Sequence, residues 1–365
     1  MVESTQHDLL AMLPEEIAAT FEVDIADARR LLSRACKDGG LPDRAPATIR
    51  RAALDRVRAG TRGPRLTELE RRPSLVDPFV KYAFGTLDGR SLETVRIPLE
   101  KPGRFSVCVS SQVGCAIACA FCATGEMGLV RNLEAGEIIE QIVRVRRDLP
   151  PGGRVHGVVF QGMGEPLSNY DRVVRAVRVL SEPSGLAIDQ RNVTISTSGL
   201  PLAIRKLAKD LPRVRLGVSI GDARPDRRAA LMPIDTANPL DEVLEAAGEH
   251  ARASGYAPMW AYTLLRGLND DADAARALAE RATRFAARFG IRPRLSLIPF
   301  NTWTPNSGRA FERAPDATLE AFRATLLAHG HGSIVRYSGG GDVGAACGQL
   351  TRTIGRGPSS APSPR

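Results

Sequence analysis

From Arg104 to Phe300 the chain alternates between short β-branched runs and longer amphipathic stretches, a rhythm that few topologies accept. The strand candidates are RFSVCVSS, VHGVVFQG (155–162), RNVTISTSG (191–199), RVRLGVSIG (213–221), APMWAYTLL (257–265) and RPRLSLIPF (292–300). Between them lie helical patterns such as EAGEIIEQIVRVRRDL, YDRVVRAVRVLS, PLAIRKLAKDL, LDEVLEAAGEHARAS and DADAARALAERATRFAARFG. Strands joined by helices through short connections build a parallel sheet. Six such units are fewer than a complete eight-fold barrel needs. The fold predicted is therefore α/β, an open, partial (βα)6 barrel.

In parallel barrels chemistry gathers in the loops at the C-terminal ends of the strands, and the polar and glycine residues fall there. Gln161-Gly162-Met163-Gly164-Glu165-Pro166 ends the second strand, Ser196-Thr197-Ser198-Gly199 the third and Ser219-Ile220-Gly221-Asp222 the fourth. Asn301 follows the last. Glycines let the backbone approach a ligand, Glu165 can accept a hydrogen bond from an ammonium group, and small hydroxyls suit a ribose or a carboxylate. Each feature also has a plainer reading. A Gly-rich strand end is an ordinary turn, a Ser or Thr there is a helix N-cap, and Asn301 either bonds a ligand or caps a loop.

The loop after the first strand says more. Cys108 to Cys122 reads CVSSQVGCAIACAFC, in which Cys115, Cys119 and Cys122 make a CxxxCxxC spacing. Three thiolates so close together hold three irons of a cubane cluster, leaving the fourth open to a small molecule. The alternative is structural zinc, but such sites close with four ligands and favour a CxxC knuckle, and no fourth ligand is near in sequence. Cys108 precedes the triad on the strand, and Cys347 lies in GGGDVGAACGQL. A lone cysteine is usually a small buried side chain, which is the reading for Cys36; the stretch around Cys347 is too polar and glycine-rich for a core. Whether Cys108 and Cys347 meet stays open at this level.

Four segments follow. Residues 1–65 read as a small helical accessory domain, 66–92 as a linker with short elements, and 93–350 as the catalytic barrel. Residues 351–365, Pro/Ser-rich, are expected to be disordered. Of the 365 residues 43% are hydrophobic, enough for a sizeable core, and the net charge of +9 favours a polyanionic partner without establishing one. The six cysteines do not look like a secreted framework, so a reducing cytoplasm is the expected compartment. No signal peptide is evident at the N-terminus, no apolar run reaches membrane-spanning length, and a monomer is expected.

CVSSQVGC with its CxxxCxFC loop, VRNL, FQGMGEPLSNY, ISTSG, IPFN and DVGAACGQL together resemble the RlmN/Cfr family of radical S-adenosylmethionine (SAM) RNA methyltransferases, over about Glu93 to Leu350. The resemblance implies a partial radical-SAM barrel, with a [4Fe–4S] cluster on Cys115, Cys119 and Cys122. It implies SAM, two molecules per turnover, contacted by Gly164, Glu165, Ser196, Ser219, Ile220, Gly221 and Asn301. Cys347 matches the cysteine that is itself methylated. Cys108 matches the thiol that resolves the RNA adduct through a transient disulfide, and Glu93 a proton acceptor. The implied substrate is an adenine of 23S rRNA, at carbon 2, with tRNA next to the anticodon as a second target; carbon 8 of adenine or a non-RNA substrate is the alternative. An electron donor such as flavodoxin or ferredoxin is also implied. Where the family has Ser-Leu-His, this chain has Ser219-Ile220-Gly221, and Ser338-Gly339-Gly340-Gly341 is richer in glycine than the family pattern.

Overall fold

The computed structural model describes residues 6–303 and 310–350; the predicted disordered tail at 351–365 lies outside them. Three helices come first, α1 (Pro14–Phe21), α2 (Ile25–Asp38) and α3 (Arg51–Gly60). Asp24 caps α2 by accepting from the Ala26 N–H, and Gly39 ends it in the left-handed conformation. Leu31, Leu32, Ala35 and Cys36 of α2 are buried. They belong to one core that runs without a break into the barrel.

The strands β1 (Leu66–Pro73), β2 (Val80–Thr86), β3 (Ser91–Pro98) and β4 (Arg104–Val109) follow as an antiparallel meander. Residues 66–92, expected as a linker with short elements, are thus part of the main sheet. Their charged sequence LTELERRP hides this, because β1 is an edge strand exposed on one side, and a register shift between Glu68 and Glu70 breaks its alternation.

Beyond β4 come β5 (Gln112–Gly114), the cysteine loop, α4 (Ala123–Glu126) and β6 (Leu129–Asn132), with β5 and β6 forming a small separate ladder. The βα repeat then runs α5 (Ala135–Arg147), β7 (Arg154–Phe160), α6 (Tyr170–Leu180), β8 (Val193–Thr197), α7 (Pro201–Asp210), β9 (Arg215–Ser219), α8 (Pro225–Leu231) and α9 (Leu240–Ser254). It ends with β10 (Met259–Leu264), α10 (Ala272–Phe289), β11 (Arg294–Pro299), α11 (Asp316–Ala328) and β12 (Ser333–Val335). The sheet order is β1-β2-β3-β4-β7-β8-β9-β10-β11-β12, parallel from β4 onward. The six expected barrel strands are present, and the three-residue β12 adds a seventh parallel strand.

Helices cover the outer face. In α10, Ala275, Leu278, Ala282 and Phe285 are buried, and the Phe285 ring meets Trp260 of β10 edge-on at 5.3 Å. Burying each such large side chain contributes roughly 1.5–3 kcal/mol. Besides the shared apolar core, polar contacts join the N-terminal segment to α5 and α6. Glu140 accepts from the Arg65 and Leu66 N–H groups, and Arg175 binds Glu16 and the Ala11 carbonyl. Among the described residues no helix is long and apolar enough to cross a membrane.

After β12 the chain does not continue the sheet. Residues 336–350 instead turn back toward β3 and β4 at the other side of the parallel segment, where they help enclose a cavity with Val95, Ile97 and Cys108. This strap closes the gap of the open barrel, and Cys347 is on it.

Candidate active site

Two cavities adjoin at the C-terminal ends of the strands. The first, an open space of about 950 Å³, is lined by Cys115, Cys119 and Cys122 on one side and by Gly164, Glu165, Ser196, Ser219, Gly221 and Met232 on the other. The second, about 610 Å³, is lined by Cys108, Val95, Arg336, Tyr337 and Ala346 among others. Cys122, Thr124, Gln161, Gly162, Cys347 and Gly348 line both. Cys347 thus stands in the common wall.

The three-cysteine loop is held by its backbone. The Cys115 N–H donates to Gly128 O (2.9 Å), the Ala120 N–H to Leu231 O (2.9 Å), and the Ala123 N–H to Gly348 O (2.8 Å). Burial pushes the Cys115 thiol up to about 12, and Cys119 and Cys122 are raised for the same reason. For Cys119, repulsion from the Cys122 and Cys115 sulfurs adds to burial. Such crowding of thiolates is relieved by binding a cation, since metal ligation displaces the protons. Among the described residues no three His, Cys, Asp or Glu side chains gather tightly enough for one metal ion. Three separate thiols along one cavity wall suit a multi-iron cluster, in which each iron takes one sulfur.

Strand alternation explains the opposite wall. With a period of two, Ser219 and Gly221 face the cavity while Ile220 turns into the core, fully buried. The Ile220 N–H donates to Ala261 O and its carbonyl accepts from Arg228 Nε. Gly221 has φ +70°, and a Cβ there would come 2.5 Å from Met232 Sδ. A histidine in this place would have to displace Met232. Gly164, at φ +101°, lies against the Gln112 side chain with no room for a Cβ.

The hydroxyls are not N-caps. The helices that follow, α7 and α8, have no side-chain cap, and the buried Ser196 Oγ has no hydrogen-bond partner in the protein. A buried hydroxyl facing a cavity without a partner is a ready contact for a bound polar group. Glu165, buried, accepts from the Leu167 N–H (3.0 Å) and the Ser198 N–H (2.8 Å), and burial raises its carboxyl above the usual range. A cationic ligand group nearby would favour its ionised form. The residues thus fit a ligand carrying a ribose and an ammonium beside a cluster.

Asn301, expected against the cofactor, bonds the strap next to the first cavity. Its Nδ2 donates to Ser338 Oγ and to Cys347 O, both at 3.2 Å, while the Cys347 N–H donates to Ser338 Oγ at 2.8 Å. It ties the end of β11 to the strap beside Cys347. Glu93 lies outside the lining of both cavities. It is buried and ion-paired to Lys81 (2.7 Å), whose Nζ also donates to Gly344 O (3.2 Å), three residues before Cys347. Cys108, on β4 opposite Val95 and Val159, is raised to about 12 by burial and by the neighbouring Cys347 sulfur.

Sequence reasoning missed the struts of this site. The buried guanidinium of Arg228 binds Ser198 O (2.7 Å), Ile220 O (2.9 Å) and the Asp235 carboxylate, tying two strand ends together. Gln161 and Ser338 were also unmarked as structural partners, since their contacts bring together residues distant in sequence.

A parallel open barrel with a three-thiol loop at the end of its first strand defines a radical SAM enzyme. The radical SAM superfamily matches residues 109–278. A probable RNA methyltransferase from Sorangium cellulosum is 61% identical over 93% of this chain and 91% of its own length. The dual-specificity RNA methyltransferase RlmN of Syntrophobacter fumaroxidans is 42% identical over 75% of this chain and 77% of its own. A radical SAM methyltransferase from Sphaerobacter thermophilus, of known structure, superposes with a TM-score of 0.83 at 34% identity, covering 97% of this chain and 100% of that one. The chain belongs to the RlmN/Cfr family of radical SAM RNA methyltransferases. Its cofactors are those of that class, a [4Fe–4S] cluster and SAM.

Proposed function

We propose that this protein methylates carbon 2 of an adenine in RNA, in 23S rRNA at the peptidyl-transferase centre and in tRNA beside the anticodon. Cys347 is the methyl carrier and Cys108 the thiol that releases the product. One observation carries this reading: Cys347 lines both the cavity of the cluster thiols and the cavity of Cys108. Relatives named as dual-specificity RNA methyltransferases support the substrate. The cytoplasm, a monomer, and a flavodoxin- or ferredoxin-type electron donor complete the proposal.

Cys115, Cys119 and Cys122 hold the cluster, and Gly164, Glu165, Ser196, Ser219 and Gly221 surround SAM. When bound, these groups supply a methyl group and a one-electron agent that takes hydrogen from carbon. Carbon 2 of adenine has no lone pair with which to displace a methyl group, so the methyl passes first to sulfur. The Cys347 thiolate takes it by displacement, and its S-bound carbon then joins the ring. The ring proton leaves to a base, Cys108 or Glu93, and the one electron left over would return to the one-electron agent, so that a closed-shell thioether joins Cys347 Sγ to the ring. Cys108 Sγ then attacks Cys347 Sγ. The S–S bond forms, the bond from sulfur to the methylene carbon breaks, and that electron pair stays on carbon, which gains a proton to become the methyl group. Two sulfurs are oxidised, one carbon is reduced, and a cellular thiol restores the pair.

The test is to compare Cys108→Ala and Cys347→Ala. The first is expected to accumulate a covalent RNA adduct and the second to form none; equal adduct in both would sink the two-thiol scheme. Mass spectrometry of nucleosides then reads the ring position as 2-methyladenosine or 8-methyladenosine.

A further inference from the structure

The inner face of the barrel carries a third space that the chemistry above leaves unused. It is an opening of about 470 Å³ lined by Arg215, Arg294 and Arg336, with Gln161, Thr194 and Met259 between them. By alternation Arg215 shares the side of β9 that presents Ser219, and Arg294 the side of β11 that presents Ile298. Arg215 and Arg294 open their strands. At about 3.3 Å per residue they lie roughly 13 Å from the first cavity's wall, toward the N-terminal end of the barrel. Arg215 is level with Thr194 of β8 and Arg294 with Met259 of β10. Arg294 is exposed and the other two are half-buried, so the space is open to solvent.

No carboxylate lines this space. Arg191 and Arg213 both pair with Asp189, whereas among the described residues Arg215, Arg294 and Arg336 have no acidic partner. Neutral contacts hold two of them in place. Arg215 Nε donates to Arg191 O at 2.7 Å, and its guanidinium lies 5.1 Å from the centre of the Tyr256 ring. The Arg336 N–H donates to Leu297 O at 2.8 Å and its Nη1 to Gln161 Oε1 at 2.7 Å. Three like charges around one opening repel unless an anion shares it, and the planar fork of a guanidinium matches the oxygens of a phosphate. Gln161 lines all three spaces, and Arg336 lines both this one and the chamber of Cys108 and Cys347. The place of the base and the place of an anion thus adjoin, as base and backbone do in a nucleotide.

We infer that Arg215, Arg294 and Arg336 form a phosphate site, which grips the RNA backbone beside the adenosine whose base enters between Cys108 and Cys347. Phosphate contacts fix register and carry no sequence information, so this site places the nucleotide and leaves the choice of base to the chamber. A free phosphate offers the same oxygens, and the test separates the two sources. This inference rests on the proposed RNA targets and on the proposed place of the base.

The test uses the full, cluster-loaded protein and two RNA hairpins, one with the peptidyl-transferase adenosine of 23S rRNA and one the tRNA anticodon stem-loop. Affinity for each is measured against salt concentration. The double variant Arg215→Gln, Arg294→Gln is expected to bind the tighter hairpin about tenfold more weakly, two charge-assisted contacts being lost. The slope of log affinity against log salt is expected to fall by about 1.5. A methylphosphonate, which is uncharged, is then placed in turn at each phosphate flanking the target adenosine. At one position it is expected to cost the wild type about the same factor and the double variant nothing. Iron content and the visible absorbance of the cluster check that the variant is folded. An unchanged salt slope, or an equal methylphosphonate penalty in both proteins, overturns the inference. Inorganic phosphate that binds the wild type but not the variant, with RNA affinity the same in both, assigns the site to the free anion and overturns it as well. A wild type that binds neither hairpin overturns the proposed targets and this inference with them, whereas wild-type binding that the variant keeps in full overturns this inference alone.

Discussion

At the scale of single residues, the site is assembled from groups whose satisfaction is incomplete without a ligand. Ser196 Oγ is the clearest, a buried hydroxyl on β8 with no partner in the protein. A buried hydroxyl lacking a partner contributes nothing to folding and costs desolvation. Ser196→Ala is therefore expected to leave the melting temperature unchanged or slightly higher while weakening SAM binding about fivefold to tenfold, the worth of one hydrogen bond of about 1 kcal/mol. Calorimetric titration alongside a thermal melt checks both halves; a fall in stability without loss of affinity would show the hydroxyl to be structural. Which residues could be found from sequence follows from how they act. Ser219 and Gly221 share one side at the end of β9, where period-two alternation marks them, and Ser196 lies near the end of the neighbouring β8. Ile220 belongs to the other side, with its side chain in the core. Arg228 and Arg336 act through partners far along the chain, and no local pattern announces such a contact.

At the scale of elements, the strap 336–350 is a loop with the constraints of a core. The turn between β1 and β2 grips it. The Asp77 carboxylate accepts from the Gly340 N–H and Tyr337 OH, both at 2.8 Å, and Asp342 accepts from Ser74 Oγ (2.7 Å) and the Leu75 N–H (2.9 Å). These bonds hold the Asp77 carboxyl below the ordinary carboxylate range although burial opposes them. Asp77→Ala is expected to raise hydrogen exchange across residues 337–348 and slow methylation of Cys347 severalfold, with global stability lower by about 1 kcal/mol. Unchanged exchange in the strap would mean that Asn301 and Ser338 suffice to hold it. The strap's anchor was illegible in sequence for the reason that β1 and β2 were: a charged edge strand reads as linker, and β12 is too short for a pattern. The six βα strands were legible because both their apolar runs and their helical partners are long.

At the scale of the whole molecule, the accessory helices and the barrel share one core, so a perturbation in the helical layer is felt globally. His250 on α9 is such a point, buried, with both ring nitrogens lacking a partner. Burial lowers it to about 4 from the ordinary 6.5. Its depressed value means the folded protein holds the ring neutral, while the unfolded chain takes up a proton below about pH 6.5. Stability is present above that pH and is lost as the pH falls toward 4, up to about 3 kcal/mol for this one group. His250→Leu is expected to flatten this acid limb. The gap in melting temperature between mutant and wild type should widen in the mutant's favour from pH 7 to pH 5, and a pH-independent gap would assign the acid limb to other groups.

The strap's pinned ends have a consequence for how its length can vary. Surface loops ordinarily accept insertions. Here the Arg336 N–H is tied to Leu297 O, Gly348 O to the Ala123 N–H, and Leu350 O to Thr124 Oγ1, so slack has nowhere to go. One added residue lengthens an extended chain by about 3.5 Å, and two sulfurs bond only at about 2 Å. An insertion or deletion anywhere between these ties would take Cys347 out of register with Cys108, so relatives that keep both cysteines in these roles should keep the spacing from Arg336 to Cys347 residue for residue, even where the amino acids between them differ.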